Sequence, residues 1–458
     1  MPRPVVAIVG RPNVGKSTLF NRILRRRQAV VDDMPGVTRD RVAGETDWAG
    51  RRFLLIDTGG LLPDATRGMD AHVKRQVEAA LELANVVLFT VDVEVGITSL
   101  DEQIAQAVRQ SGRPVILVAN KSDSATRALA AMDFAGLGFG EPFAVSALHG
   151  RGSGDLLDAV VAALPDEAQG EGGDEKEGIR VAIIGRPNVG KSSLVNRLLG
   201  EERMIVDDVP GTTRDAVDSR ITIDGQRFTL VDTAGLRRRT RIDTRTEFYA
   251  AVRAMQALDR ADVAVLMLDA SEPFGRQDYR IASLIHAASK PAVLAFNKWD
   301  LVTDKETMTA KRMEDSFREH AIELVHAPSI FLSAATGQRI PRLAGLLHEV
   351  YTEARRQWPA DELTAALLAA VERTPPPSPP RGRQDLRAMV QRGVNPIRFL
   401  IVATQPEVLP VHYLRYLARE FRERLGIMHA PLELRLSRPR KKHPPINQES
   451  TTGREAAR

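Results

Sequence analysis

The sequence predicts an α/β protein with two consecutive copies of one domain, each a mostly parallel sheet flanked by helices, followed by a smaller α+β domain. The duplication rests on two observations. The motif GRPNVGKS occurs at Gly10 and again at Gly185, each time after a short apolar run and before a helical pattern. Later motifs repeat at similar separations: 175 positions for PGxTRD and DTxG, 177 for NKxD and 187 for a Ser-Ala pair. Correspondence over such a length indicates a repeated domain.

Short apolar segments predict the strands of each copy. VVAIVG and RVAIIG precede the two GRPNVGKS motifs, and VILVA and AVLAF precede the two NKxD motifs. Such continuous apolar runs are typical of parallel strands covered by helices on both faces. LFNRIL and LVNRLL, which follow GRPNVGKS, are expected to form helices.

The last part of the chain has a different order of elements. The pattern predicts helix, strand, strand, helix and strand at 361–373, 385–390, 398–404, 412–425 and 432–436. In the second helix Tyr413, Leu414, Leu417, Phe421 and Leu425 recur at helical spacing, and we expect this stripe to face a core.

Low-complexity segments suggest the domain boundaries. The acidic segment PDEAQGEGGDEKEG lacks large apolar groups, so it is predicted to be a flexible linker. A proline-rich segment, TPPPSPPRG, is expected to form a semi-rigid loop. The predicted divisions are the first domain at 1–164, the linker at 165–178, the second domain at 179–358, the third at 359–440 and a basic tail without fixed structure at 441–458.

Composition limits the class of protein. A chain of 458 residues can form about three domains with sizeable cores. No segment approaches the roughly 18 apolar residues of a membrane-spanning helix, and MPRP leads into a strand without a signal-peptide pattern. The absence of cysteine excludes disulfides, thiolate metal sites and cysteine nucleophiles. We therefore expect a cytoplasmic protein.

Each GRPNVGKS motif fits the phosphate-binding pattern GxxxxGKS. Its glycines let backbone N–H groups approach phosphate oxygens closely. Lys16 or Lys191 adds positive charge, and Ser17 or Ser192 can hold Mg²⁺. The helix that follows directs its N-terminus at the phosphate.

Two further motifs are expected to respond to the terminal phosphate. In DTxG a carboxylate at a strand end can hold a water on Mg²⁺, and the glycine can donate its N–H to the γ-phosphate. In PGxTRD a threonine lies in a loop that would become ordered when that phosphate is present. These residues are Asp57, Asp232, Gly60, Gly235, Thr38 and Thr213.

The NKxD motifs select the base. Asp123 and Asp300 can accept hydrogen bonds from N1–H and the 2-amino group of guanine, whereas adenine would leave the carboxylate unpaired at a cost of about 1 to 3 kcal/mol. The asparagines would contact N7 or tie the loop together, the lysines would lie along the base, and the Ser-Ala pairs would support it. These residues are Asn120, Lys121, Ser146, Ala147, Asn297, Lys298, Ser333 and Ala334.

Together these motifs resemble the EngA family, also called Der, of bacterial GTPases with two G domains. The resemblance covers nearly the whole chain. It implies two tandem P-loop GTPase domains and a C-terminal KH-like domain, binding of GTP or GDP with Mg²⁺, and a role in assembly of the large ribosomal subunit. The third domain has no GxxG loop, so reading of RNA bases by a KH groove and packing against the G domains remain alternatives.

The position after DTxG bears on the hydrolysis rate. In Ras-like switches a glutamine there orients the attacking water, whereas this chain has Leu61 and Leu236, which predicts slow intrinsic turnover. The resemblance implies that Asn13 and Asn188 bind K⁺ in place of an arginine finger; the alternative is that they only cap the loop. Arg39 and Arg214 are other candidate fingers or simple surface residues.

The full set of predicted nucleotide-binding residues includes the motif residues already named and their neighbours. In the first copy they are Gly10, Arg11, Pro12, Asn13, Val14, Gly15, Lys16, Ser17, Thr18, Asp57, Thr58, Gly59, Gly60, Asn120, Lys121, Asp123, Ser146 and Ala147. In the second copy they are Gly185, Arg186, Pro187, Asn188, Val189, Gly190, Lys191, Ser192, Ser193, Asp232, Thr233, Ala234, Gly235, Asn297, Lys298, Asp300, Ser333 and Ala334. The Mg²⁺ set is Ser17, Thr38, Asp57, Ser192, Thr213 and Asp232.

Charge suggests the partner. From Asp361 onward there are 17 Lys and Arg against 10 Asp and Glu, and the second copy carries a basic LRRRTR segment after DTAG. Basic clusters favour polyanions, although a solvated loop or tail is the simpler alternative. We expect nucleotide-dependent contact with rRNA and the large ribosomal subunit, no membrane or DNA partner, and a monomer. A nucleotide-gated scaffold, with one site mainly structural, is the alternative function.

Overall fold

The structure, a computed structural model, describes residues 3–25, 43–58, 69–165, 178–200, 218–233, 247–303, 305–377 and 384–439. The predicted linker and basic tail lie almost entirely outside these residues, as do the phosphate-sensing loops and the LRRRTR segment. The individual predicted residues outside them are Thr38, Arg39, Gly59, Gly60, Leu61, Thr213, Arg214, Ala234, Gly235 and Leu236. The chain forms two compact units, Met1–His348 and Glu349–Arg458.

The first six strands form one sheet. Its strands are β1 Val5–Val9, β2 Ala43–Trp48, β3 Arg51–Asp57, β4 Val86–Asp92, β5 Val115–Asn120 and β6 Phe143–Val145. Its helices are α1 Lys16–Arg25, α2 Met69–Leu83, α3 Ser99–Gln110, α4 Ala125–Ala130 and α5 Ser153–Ala163. The strand order is β2-β3-β1-β4-β5-β6, and only the β2–β3 pair is antiparallel among the described pairs.

The second sheet repeats this arrangement. Its strands are β7 Ile179–Ile184, β8 Ser219–Ile223, β9 Gln226–Val231, β10 Val263–Asp269, β11 Ala292–Asn297 and β12 Ser329–Phe331. Its helices are α6 Lys191–Gly200, α7 Glu247–Arg260, α8 Arg276–Ala287, α9 Thr309–His320 and α10 Ile340–Ala354. The order β8-β9-β7-β10-β11-β12, with β8 antiparallel to β9, is the same topology. The predicted tandem α/β architecture is confirmed.

Burial explains why the central strands are apolar throughout. Every residue of β1, β4 and β10 is buried, because helices cover both faces of each sheet. Polar loops therefore gather at the carboxyl ends of these strands. In open α/β sheets that edge is where ligands bind.

Helices α2 and α7 pack against each other within the first unit. Val252 of α7 is fully buried in the core of the first domain, and Met255 packs against the same core. At the edge of this contact Arg253 Nη2 lies 3.1 Å from Glu82 Oε2. Near the chain start, Arg3 Nη2 lies 2.7 Å from Asp259 Oδ1. The two α/β domains thus share buried surface and ion pairs.

The second unit is a small α+β fold. It contains α11 Ala360–Arg373, β13 Leu386–Gly393, β14 Ile397–Ala403, α12 Val411–Leu425 and β15 Leu432–Ser437. The sheet order is β13-β14-β15, with an antiparallel first pair and a parallel second pair. The predicted order of elements is therefore confirmed.

The apolar stripe of α12 faces the core of this unit, as predicted. Tyr413, Leu417, Phe421 and Leu425 are buried in it, and Leu414 packs against it. One charged residue is buried beside them. Glu420 is 1% exposed and accepts a hydrogen bond from Arg373 Nη1 at 3.0 Å, so its charge is compensated.

In the described parts of the chain, no helix has the length and apolar character needed to span a membrane.

Candidate nucleotide site

A tight loop joins β1 to α1 in the first domain, and an equivalent loop joins β7 to α6 in the second. Gly15 and Gly190 have φ of 90° and 99°, in the region that favours glycine. A Cβ at either position would overlap the side-chain nitrogen of Asn120 or Asn297. Glycine is required here because a neighbouring side chain occupies the space that a Cβ would fill.

Asn13 and Asn188 also have left-handed backbone conformations, with φ of 66° and 64°. Asparagine adopts this conformation more readily than most residues. Both side chains are exposed on the loop. Backbone conformation alone is therefore one reason for asparagine at this position.

The two motif lysines point back into their own loops. Lys16 Nζ donates to Gly10 O at 2.9 Å and to Arg11 O at 2.8 Å. Lys191 Nζ donates to Gly185 O at 2.8 Å and to Arg186 O at 2.7 Å. Each ammonium thus lies inside the loop, against backbone carbonyls.

Burial changes the acidity of these lysines. It disfavours the charged ammonium and lowers the pKa of Lys16 to about 8, an effect partly opposed by the nearby Asp57 carboxylate. The pKa of Lys191 is likewise lowered to about 8 by burial. An arriving anion would reverse this effect by compensating the positive charge.

Asn120, the last residue of β5, joins three separate segments. Its Nδ2 donates to Val14 O at 2.8 Å, and its Oδ1 accepts from Ala147 N at 3.0 Å. The second domain repeats both contacts, from Asn297 Nδ2 to Val189 O at 2.7 Å and from Ala334 N to Asn297 Oδ1 at 2.9 Å. The GRPNVGKS, NKxD and Ser-Ala segments are thereby fixed relative to one another.

Asp123 lies at the edge of this junction. Its Oδ1 accepts from Ser146 Oγ at 2.5 Å, and its Oδ2 lies 3.4 Å from Arg127 Nη1. Ser146 is fully buried, so its hydroxyl gives the carboxylate a fixed orientation. The matching Asp300 lies in a short 3-10 helix, Trp299–Leu301, and is exposed.

The lysines of the NKxD motifs are held by carboxylates that sequence reasoning did not select. Lys121 Nζ lies 2.6 Å from Asp92 Oδ2, and Lys298 Nζ lies 2.5 Å from Asp269 Oδ2. These aspartates end β4 and β10, and each is 2% exposed or less. Their position at the end of an apolar strand in both copies was the signal available in the sequence.

The oxygen atoms expected around Mg²⁺ are adjacent in the first domain. Ser17 Oγ donates to Asp57 Oδ2 at 2.5 Å, which brings a hydroxyl and a carboxylate together beside the phosphate loop. Mg²⁺ takes hard oxygen ligands, commonly one or two protein groups completed by phosphate and water, so this pair fits it. No group of three or more His, Cys, Asp or Glu side chains is placed for a metal within the described ranges.

The second domain differs at this point. Asp232 has φ of 60°, and its N–H donates to Asp218 Oδ1 at 3.0 Å. Asp218 also pairs with Arg260 at the end of α7. The corresponding position in the first domain is Ala43, which has no carboxylate. The two domains therefore share the contacts of their GRPNVGKS and NKxD loops but differ around the DTxG aspartate.

Two family models match the chain. The model described as "50S ribosome-binding GTPase" matches residues 5–121 and 180–298. The model described as "KH-domain-like of EngA bacterial GTPase enzymes, C-terminal" matches residues 357–436.

Named relatives are similar to the chain over nearly its whole length. The chain is 45% identical to GTPase Der of Desulforamulus reducens, covering 94% of this chain and 97% of the relative. It is 44% identical to GTPase Der of Thermomicrobium roseum, covering 99% and 100%. Among solved structures it is similar to Era in complex with MgGDPNP and nucleotides 1506–1542 of 16S ribosomal RNA, with 22% identity, 57% and 92% coverage and a TM-score of 0.29.

The regions matched by the family models correspond to the three sheets: two G domains and then the KH-like domain. A GTPase of this kind binds a guanine nucleotide with Mg²⁺. The chain belongs to the EngA/Der family of GTPases, in which two G domains precede a KH-like domain.

Proposed function

We propose that this protein is a GTP-hydrolysing switch whose two sites time its contacts with the large ribosomal subunit during assembly of that subunit. The main support is the asparagine junction, which appears in both domains. Asn120 and Asn297 hold the phosphate loop, the base loop and the Ser-Ala segment together with almost identical distances. Both domains are thus organised around the two ends of one nucleotide.

We assign the following roles to the site residues. The lysines and backbone N–H groups of the two GRPNVGKS loops bind phosphates. Mg²⁺ is held by Ser17, Thr38 and Asp57 in the first site and by Ser192, Thr213 and Asp232 in the second. The Ser17–Asp57 contact supports this assignment in the first domain.

Asp123 and Asp300 select guanine. Each follows a buried strand, and Asp123 is oriented by Ser146, so its carboxylate can accept from N1–H and the 2-amino group together. A base without those donors leaves the carboxylate unpaired.

Replacing these carboxylates should change base preference. Asp123→Asn or Asp300→Asn converts one acceptor oxygen into a donor, which suits the C2 carbonyl of xanthine. We expect each change to lower GDP affinity at its own site by about fivefold to about 150-fold, from a loss of about 1 to 3 kcal/mol, and to create binding of xanthosine diphosphate. Calorimetric titration with both nucleotides measures this. Asp133→Asn, at an exposed position, serves as the control, and unchanged GDP affinity in both site variants would contradict the base role.

The lysine pKa values predict how binding depends on pH. Phosphate requires a protonated ammonium, and the pKa of both Lys16 and Lys191 is lowered to about 8. As the pH rises above 8, binding must therefore take up a proton at each site. Between pH 7 and pH 9 we expect GDP affinity to fall about tenfold per site.

Calorimetry in buffers of different ionisation enthalpy would detect that proton uptake directly. Guanosine, which has no phosphate, is the matched control ligand and should show no uptake linked to these lysines. Constant GDP affinity from pH 7 to pH 9 would be incompatible with ammonium groups of lowered pKa at the phosphates.

Hydrolysis is proposed to be slow and stimulated by K⁺. Leu61 and Leu236 cannot orient water, so Mg²⁺, backbone donors and an added cation must stabilise the transition state. Asn13 and Asn188 have exposed side chains whose amide oxygen could coordinate K⁺.

Asn13→Gly and Asn188→Gly separate the two functions of asparagine. Glycine keeps the left-handed backbone but removes the amide oxygen. We expect the parent protein to hydrolyse GTP several-fold faster in K⁺ than in Na⁺, and the double variant to show equal rates in both salts while still binding GDP. If the parent already shows equal rates, Asn serves only the backbone conformation.

Ribosome binding is proposed from family membership and charge. The matching G-domain model describes a 50S ribosome-binding GTPase, and the region from Asp361 onward has 17 basic and 10 acidic residues. Such a charge balance suits RNA phosphates, and with this role we propose a cytoplasmic location.

Co-sedimentation with purified ribosomal subunits tests this proposal. We expect the amount bound to large subunits to differ several-fold between a non-hydrolysable GTP analogue and GDP, because a switch must bind its partner differently in its two states. Small subunits are the control. Equal sedimentation with both nucleotides would argue against a switch.

A scaffold with one mainly structural site is the second candidate, and the difference at Asp232 favours it. There the aspartate has a positive φ and an N–H bonded to Asp218, a contact that Ala43 cannot make in the first domain. In the Asp300→Asn protein, we expect xanthosine triphosphate to bind only the second site. The scaffold predicts no hydrolysis of it, and the switch predicts turnover.

A further inference from the structure

We propose that Arg11 is a positioning residue that connects the phosphate end of the first site with its base end, and that Arg186 holds the second phosphate loop against helix α8. The inference rests on the proposed nucleotide role of these loops and goes beyond it. It assigns a task to two arginines and to buried carboxylates outside the GRPNVGKS and NKxD motifs. The buried carboxylates are Asp92 and Asp101 in the first domain and Asp269 and Asp278 in the second, where the exposed Glu272 also takes part.

In the first domain one carboxylate oxygen lies between the two loops. Lys121 Nζ is 2.6 Å from Asp92 Oδ2, and Arg11 Nη2 is 3.8 Å from the same atom. Asp92 is almost fully buried, and its other oxygen accepts from Glu94 N at 2.9 Å. A buried carboxylate held in this way transmits a change in the arginine position to the lysine.

The backbone of Arg11 completes the connection on the phosphate side. Its carbonyl accepts from Lys16 Nζ at 2.8 Å. The contacts therefore run from Lys16 through Arg11 and Asp92 to Lys121. The two lysines at the ends are the groups proposed to meet the phosphates and the base.

A second carboxylate anchors Arg11 to a helix. Arg11 Nε lies 3.3 Å from Asp101 Oδ2, and Asp101 is fully buried in the first turn of α3. The same oxygen accepts from Thr98 N at 3.1 Å and from Thr98 Oγ1 at 2.7 Å. Asp101 N donates to Thr98 Oγ1 at 3.3 Å, and this bond and the bond from Thr98 N form a capping box. Because the cap fixes Asp101, the arginine is held against a rigid element.

The second domain repeats the helix anchor and the lysine–aspartate contact, but its arginine pairs with Glu272 where Arg11 approaches Asp92. Arg186 Nε lies 3.5 Å from Asp278 Oδ1 in the first turn of α8, and its carbonyl accepts from Lys191 Nζ at 2.7 Å. Lys298 Nζ lies 2.5 Å from Asp269 Oδ2. The second nitrogen of this arginine pairs with Glu272 at 2.7 Å.

Stability of the fold alone does not explain these pairs. Arg11 Nη2, Asp101 Oδ1, Arg186 Nε and Asp278 Oδ1 are buried and have no hydrogen-bond partner among the described residues. Buried ion pairs with unsatisfied atoms are often no more stable than apolar replacements. Yet in both domains the arginine of the phosphate loop contacts an aspartate at the equivalent position, in the first turn of α3 or of α8. A positioning role accounts for that recurrence.

The test is a double-mutant cycle at the first site. Asp300→Asn is the common background, so that GDP titration reports the first site. We expect Arg11→Gln to lower GDP affinity about tenfold there, the order of effect of one charged hydrogen bond. Arg11→Lys should fall between, because it keeps the charge but loses the fork that reaches both carboxylates. Arg113→Gln, at an exposed position of the same domain, should have no effect.

Coupling separates positioning from a purely structural effect. If Arg11 acts through Asp92 and Lys121, then Arg11→Gln should change GDP affinity less than about twofold once Lys121→Met is present. Additive effects of the two changes, or unchanged affinity of Arg11→Gln, would overturn the inference. If Arg11→Gln lowers the thermal unfolding midpoint, a second cycle combines Arg11→Lys with Asp92→Asn. Asp92→Asn keeps the shape of the side chain and removes its charge.

Failure of the proposed function would look different. If Asp300→Asn leaves two GDP sites of unchanged affinity, the guanine role of that aspartate is wrong. The same cycle in a Lys191→Ala background then decides the positioning role at the first site.

Discussion

The side-chain amide of one asparagine in each G domain is the constraint on which both nucleotide sites depend. Asn120 is buried, and its two amide atoms are matched by one carbonyl and one N–H from different loops. Removing the amide would leave both backbone groups unpaired in a site closed to water. The glycine before the motif lysine follows from this contact, because the amide occupies the space that a Cβ would need. The glycine of GxxxxGKS and the asparagine of NKxD thus belong to one structural requirement, because each needs the other in place.

Much of this could be predicted from the sequence because the signals are local. The apolar strands, the glycine loops and the α12 stripe follow from residue patterns within ten to twenty positions of the chain. The contact between Arg11 and Asp101 spans 90 positions, and Asp101 alone indicates only a helix cap. Asp92 likewise indicates a strand end. Their joint role depends on the order of strands β1 and β4, which brings the two loops to the same edge.

The differences between the copies are a second feature that local patterns do not predict. Motif identity suggests equal sites, and the phosphate and base loops do have matching contacts. Around the DTxG aspartate, however, Asp218 takes the place of Ala43 and accepts from the backbone of Asp232. Ala43 has no carboxylate and cannot make the equivalent hydrogen bond in the first domain. Sequence repetition therefore indicates shared binding chemistry without implying equal behaviour of the two sites.

Packing between the G domains connects the two sites through direct contacts. Helices α2 and α7 follow the DTxG segments of their own domains, and Val252 of α7 is buried in the core of the other domain. Packed interiors do not deform continuously, so a displacement of α7 requires an adjustment of the core that surrounds Val252. Arg260, at the end of the same helix, pairs with Asp218, which bonds the Asp232 backbone. A change at the second DTxG aspartate is therefore connected by direct contacts to the core of the first G domain.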